Sequence, residues 1–155
     1  MKKYVRSLIL FTLTFCGFIA YFNALASDNT SAIGYWTTIS DEDNKPRSVI
    51  QIINNQGYLE GRILKVYAKE GDHELCINCG GKLKNTPIIG LKFLWGMIPD
   101  GDKTWSGGQI LDPKTGKTYK CKMRLTNDGK ELSVRGYVGI SVFGRTQIWV
   151  RRNTP

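Results

Sequence analysis

The chain has 155 residues, with 22 Lys and Arg against 13 Asp and Glu, a formal charge of +9 and 41% hydrophobic residues. That length suits one domain with a single core, and the basic balance favours anionic partners. A single histidine excludes most hydrolase triads, and no basic run is long enough to read as a tail.

The N-terminus reads as a secretory signal. Lys2, Lys3 and Arg6 precede an apolar run from Leu8 to Phe22, and Ala24-Leu25-Ala26 supplies the small-x-small cleavage pattern. The run is short for a bilayer span, so cleavage after Ala26 is favoured over a retained anchor. Cys16 is a poor lipoprotein site, because bulky Phe15 precedes it and the apolar run continues past it. Cleavage leaves 129 residues with a formal charge of +6. An exported chain makes nucleic acid a poor partner and predicts a periplasmic or secreted location. Residues 27–32 read as a short linker and 33–152 as one domain.

Short strands and turn signals alternate along that domain. The first strand is 33–40, ended by Asp41-Glu42-Asp43-Asn44-Lys45-Pro46. The second, 47–54, turns at Asn55-Gln56-Gly57 into the third, 58–67. An irregular stretch, 68–87, holds two cysteines, and segment 88–97 fits either a strand or a short helix. The fifth strand, 103–111, is followed by the turn Asp112-Pro113-Lys114-Thr115-Gly116. The sixth, 117–126, alternates most clearly: Tyr119, Cys121, Met123 and Leu125 share one face, Lys120, Lys122 and Arg124 the other. Asn127-Asp128-Gly129 is a hairpin signal, and strands at 131–138 and 143–152 complete the set. Eight strands in order, joined mostly by tight turns, predict an all-β, up-and-down antiparallel barrel without exposed edges.

Gly34-Tyr35-Trp36 opens the first strand and Trp149-Val150-Arg151-Arg152 ends the last. This pairing resembles lipocalin-like (calycin) barrels, in which first and last strands meet. It implies that Trp36 plugs one barrel end beneath the guanidinium of Arg151, with Arg152 as the alternative and Gly34 part of the closure. The stretches "YLEGRIL", "CINCGGKLKNTPIIGLKFL", "WSGGQILDPKTGKTYKCKMRL", "ELSVRGYVG" and "RTQIWVRR" extend the match over nearly all of 33–152. Together they are similar to the exported bacterial family catalogued as domain of unknown function 2147, which implies a small lipocalin-like barrel in the bacterial envelope and no settled activity. One departure from true lipocalins stands out: three residues follow the last strand, too few for their C-terminal helix, which argues against a large ligand cavity.

Chemistry is sparse. Most carboxylates fall in turns, Glu60 in mid-strand being an exception, and no phosphate-binding glycine loop or other cofactor motif is present. Catalytic residues and cofactors are therefore not expected. Cys76-x-x-Cys79 in an oxidising compartment favours a structural disulfide. The alternative metal set, His73, Cys76 and Cys79 with Asp72, lacks the second Cys/His pair of a zinc signature, and a thioredoxin-like redox site would need a βαβ setting. Cys121 reads as a buried thiol. Three functional readings follow. The first is a barrel binding a small apolar or amphipathic ligand, lined by Tyr119, Met123, Leu125, Val134 and Ile148. The second is a non-enzymatic structural or interaction module of the envelope, with Lys120, Lys122, Arg124 and Arg135 as a stripe for an anionic component. The third is a metal or thiol-redox protein centred on the cysteine loop. An outer-membrane barrel fits poorly, because the turns are short and the polar faces strongly basic. Oligomeric state is left open.

Overall fold

A computed structural model describes residues 29–155. The proposed signal lies outside the described residues. Eight strands follow in chain order: β1 (Gly34–Ile39), β2 (Pro46–Asn55), β3 (Tyr58–Val66), β4 (Lys92–Pro99), β5 (Thr104–Asp112), β6 (Lys117–Thr126), β7 (Glu131–Tyr137) and β8 (Gly144–Arg152). Each pairs antiparallel with its neighbour, and β1 pairs with β8 to close the barrel. The predicted up-and-down barrel is thus the observed fold.

Alternation decides what faces inward, because cross-strand partners share a face. Cys121, Met123 and Leu125 on β6 lie opposite Gly136, Val134 and Leu132 on β7, and all but the half-buried Gly136 are buried. The intervening Lys120, Lys122 and Arg124 are exposed. At the β6–β7 corner Asn127 and Asp128 take left-handed φ of 49° and 50°, the conformation for which Asn and Asp are the best non-glycine residues.

The ambiguous segment 88–97 resolves into a strand that starts later, at Lys92. Residues before it belong to the preceding loop: Ile88 N–H donates to the Glu74 carbonyl at 2.8 Å, and Gly90 N–H to that of Ile63 at 2.7 Å. The first bond ties the segment back onto its own loop, and the second holds it against β3 without extending the ladder. Irregular register along β3–β4 and a bulge in β5 between Trp105 and Gly108 bend the sheet as closure requires.

The barrel has two unlike ends. One is sealed by Trp36, Leu59, Met97, Trp105, Leu125 and Leu132, which belong to one buried cluster. Residues 29–32, expected to be a linker, pack beneath this end instead. Ala32 is fully buried, and its carbonyl accepts the Trp36 indole N–H at 2.9 Å. Arg151 locks the arrangement. Its guanidinium lies 4.2 Å from the Trp36 ring centre and donates to the carbonyls of Ser31 (2.5 Å), Gly129 (2.6 Å) and Ile33 (3.2 Å). Gly34 makes room for it: its φ is +130°, and a Cβ there would sit 3.3 Å from Arg151 Nη1. Arg152 turns away, toward Thr37 Oγ1 and the Thr154 carbonyl. Gly34, Trp36 and Arg151 are therefore brought together at this end.

Candidate functional site

At the opposite end the barrel is not filled. A cavity of about 540 Å³ opens between the β1–β2, β3–β4, β5–β6 and β7–β8 connections. Its inner wall takes one large side chain from each of six strands: Ile63, Phe93, Ile110, Tyr119, Val134 and Trp149. Phe93 and Trp149 form its aromatic floor, with ring centres 5.9 Å apart and planes tilted by 44°. Such an edge-tilted pair is a favourable aromatic geometry and leaves ring faces for an apolar ligand. Thr38, Ser40 and Gln147 add polar groups along one side.

The mouth is held by ion pairs. Asp41 on the β1–β2 loop pairs with Arg145 at the start of β8. The Arg145 hydrogen bond holds the Asp41 carboxyl below the usual carboxylate range. Arg47 reaches Asp72 at 2.8 Å and the Tyr67 carbonyl at 3.2 Å, tying β2 to the long loop. Burial pushes the Asp72 carboxyl up, but the Lys69 N–H and the Arg47 guanidinium outweigh it, and the net shift is down. Lys69 pairs with Asp43 at 2.6 Å and, with Ser40, brings the Asp43 carboxyl down to about 2. Sequence reasoning missed these pairs. Asp41 and Arg145 are 104 residues apart, and no local pattern links them.

The long β3–β4 loop forms one side of the mouth through His73, Leu75 and Ile77. Cys76 and Cys79 are joined as a disulfide, with Cα atoms 5.3 Å apart and both residues buried. The bridged turn is pinned on two sides. Cys76 N–H donates to the Thr86 carbonyl at 2.8 Å, and Asn78 Nδ2 to the Lys114 carbonyl at 2.8 Å. Gly116, at φ +70°, lies so close beneath that a Cβ would overlap the Asn78 carbonyl. The metal alternative is not assembled: among the described residues no three His, Cys, Asp or Glu side chains gather as a ligand set. Cys121 is buried on the inner face of β6, and burial pushes its thiol up to about 12. A thiol so far from its thiolate form is a poor nucleophile at neutral pH.

Of the five predicted lining residues, Tyr119 and Val134 reach the cavity. Met123 and Leu125 face inward but lie in the close-packed half. Ile148 is a correction: it is 41% exposed and faces outward. Trp149 pairs with the core residue Leu132, so β8 turns Gln147 and Trp149 inward and Ile148 outward. In the basic stripe, Lys120, Lys122 and Arg124 lie opposite Tyr137, Arg135 and Ser133. Arg135 is committed elsewhere. Its guanidinium donates to the carbonyls of Ser141 (2.6 Å) and Val142 (2.9 Å) and to Thr146 Oγ1 (2.8 Å), so it anchors the β7–β8 loop.

A family model described as an uncharacterized protein conserved in bacteria (DUF2147) matches residues 34–151. The chain belongs to this family. The match spans β1 almost to the end of β8, so the family is defined by the barrel as a whole. A similar solved structure is protein HP1028 from the human pathogen Helicobacter pylori, described as belonging to the lipocalin family. The two share 20% sequence identity with a TM-score of 0.69, over 80% of this chain and 84% of that one. At that identity the likeness concerns the fold. No curated protein matches the chain.

Proposed function

We propose that this DUF2147 protein is an exported, non-enzymatic barrel of the bacterial envelope that binds a small amphipathic ligand at its open end. The observation that carries this reading is the half-filled interior. A barrel packed throughout would serve only as a scaffold, whereas a cavity of about 540 Å³ lies within the 300–1,000 Å³ usual for small-molecule sites. The aromatic floor suits an apolar chain or ring. The ion-paired mouth suits a polar head, which Arg145 or Arg47 would meet by exchanging a carboxylate partner. The signal-like start and the disulfide both suit an exported protein. Among the described residues no helix is long and apolar enough to cross a membrane. The apolar strand faces point inward and the basic face of β6 outward, the reverse of a lipid-embedded barrel.

The test combines native mass spectrometry of protein purified from its own bacterium with a titration of long-chain fatty acids followed by tryptophan fluorescence. A bound mass and a saturable change are expected, because Trp149 lines the cavity. Val134→Trp should fill the cavity and abolish binding while the circular dichroism of the barrel is kept. An apo-only mass together with no saturable response across the chain-length series would refute ligand binding.

A further inference from the structure

The β7–β8 hairpin carries an unusual tip. Val138, Ile140, Val142 and Phe143 are each between 62% and 73% exposed, within six residues of chain. Large apolar side chains clustered at a loop tip are what soluble surfaces avoid. The tip is also held in shape: Arg135 fastens it through Ser141 and Val142, and Val138 N–H donates to the Phe143 carbonyl at 3.2 Å. Beside it runs the basic face of β6. Lys120 lies level with Tyr137 at the base of the tip, Lys122 and Arg124 further along. Among the described residues none of these three has an ion-pair partner within 4.0 Å. Of the acids around the mouth, Asp41 pairs with Arg145, Glu42 also acts on Arg145, and Asp112 accepts from the Lys114 N–H and the Thr115 hydroxyl of its own turn. On the other flank, Ile148 adds an outward apolar side chain.

We propose that this face docks on an anionic lipid bilayer, with the 138–143 tip entering the interface and Lys120, Lys122 and Arg124 resting on the headgroups. Charge complementarity selects the occupant. An apolar protein partner would need only the tip, whereas a rigid apolar prong beside unpaired cations meets the two layers of a bilayer surface in order. Tyr137 sits between them, at the depth where tyrosine is enriched. The proposal stands apart from ligand binding, since a barrel with an empty or filled interior could dock this way. Where both hold, Val138 and Phe143, which also line the cavity, bring its mouth to the bilayer.

Co-sedimentation of residues 27–155 with lipid vesicles tests it. Binding is expected to vesicles of phosphatidylethanolamine and phosphatidylglycerol, weakly if at all to phosphatidylcholine, and to fall with added salt. Each of Lys120→Gln, Lys122→Gln and Arg124→Gln should weaken it about fivefold. Val142→Ser with Phe143→Ser should weaken it on the order of tenfold or more. All these side chains are exposed, so thermal melts should stay near that of the native chain. Arg135→Gln should loosen the tip and weaken docking while Lys120, Lys122 and Arg124 are kept. If a variant misfolds, the lipid and salt dependence of the native chain still decides. Failure of the native chain to sediment with anionic vesicles at low salt overturns the proposal. So does binding that ignores lipid charge or survives both sets of substitutions. Neither result bears on the fatty-acid titration, so the two readings fail separately.

Discussion

Replacing Arg151 by methionine keeps much of the side chain's length but removes its charge and donors. Three hydrogen bonds to the carbonyls of Ser31, Gly129 and Ile33 are lost, together with the contact over Trp36. Charge-assisted bonds contribute about 1.5–3 kcal/mol each, and the cation–π contact about 0.5–2. Simple addition overshoots. Arg151 is half-buried, so water can replace some donors, and ordering its long side chain costs about 2 kcal/mol. A net loss of about 2–4 kcal/mol remains, near the upper end for single substitutions. For a domain of this size 1 kcal/mol moves Tm by about 4 °C, so the variant should melt about 8–15 °C lower. Arg152→Met is the control, because among the described residues Arg152 bonds to Thr37 and to the carbonyl of Thr154 near the chain end; it should cost under about 1 kcal/mol. Arg151→Lys should rescue little, since an ammonium cannot span three carbonyls and stack on an indole. Thermal melts by circular dichroism give the answer. An Arg151→Met variant melting within about 2 °C of the native chain, or an Arg152→Met variant that melts lower, would refute the assignment.

Cys76→Ala with Cys79→Ala should cost about 2 kcal/mol by the loop-closure estimate for so short a ring, read as a lower melting temperature under oxidising conditions. Gly116→Ala must leave its left-handed conformation or push Asn78 aside; limited proteolysis should then cut the 75–87 loop faster, while the distant Arg151 seal is unaffected. In the chain from residue 27, Cys121 is the one thiol outside the disulfide, and it should resist iodoacetamide at pH 8 in the native state and react at once in denaturant. The depressed carboxyls Asp41, Asp43 and Asp72 stabilise the mouth fully above about pH 4, and that contribution fades as pH falls through their folded values, toward about 2 for Asp43. Hydrogen exchange in loops 40–46 and 67–72 should therefore rise in acid, and Asp72→Asn should flatten the response.

Much of this was legible from residue order because a barrel strand repeats every two residues. β6 announces its two faces outright, while the closure by Trp36 and Arg151 was legible through the resemblance to lipocalin-like barrels rather than through the strand pattern. Ile148 shows where reading by composition misleads. Ile148, Trp149 and Val150 are consecutive and apolar, so hydrophobicity cannot choose a face. Parity can: once Arg151 is placed over Trp36, residue 149 must point inward and residue 148 must not. The mouth lay beyond such reasoning. Its ion pairs join residues 25, 26 and 104 positions apart, and their partners are chosen by the closed sheet. The β7–β8 tip was hidden differently, because Val138 and Phe143 read as the ends of the flanking strands.

The seam between β1 and β8 has a temporal consequence. Ile33 and Arg151 are 118 residues apart, yet their contact completes the barrel. Until residue 151 is available, β1 is an unpaired edge and the Trp36 plug has no lid. A chain that still lacks its last strand cannot close the sheet. Such late, long-range closure slows folding, while leaving an edge open to wrong pairing. The last strand to be synthesised is thus the one that starts the clock on stability.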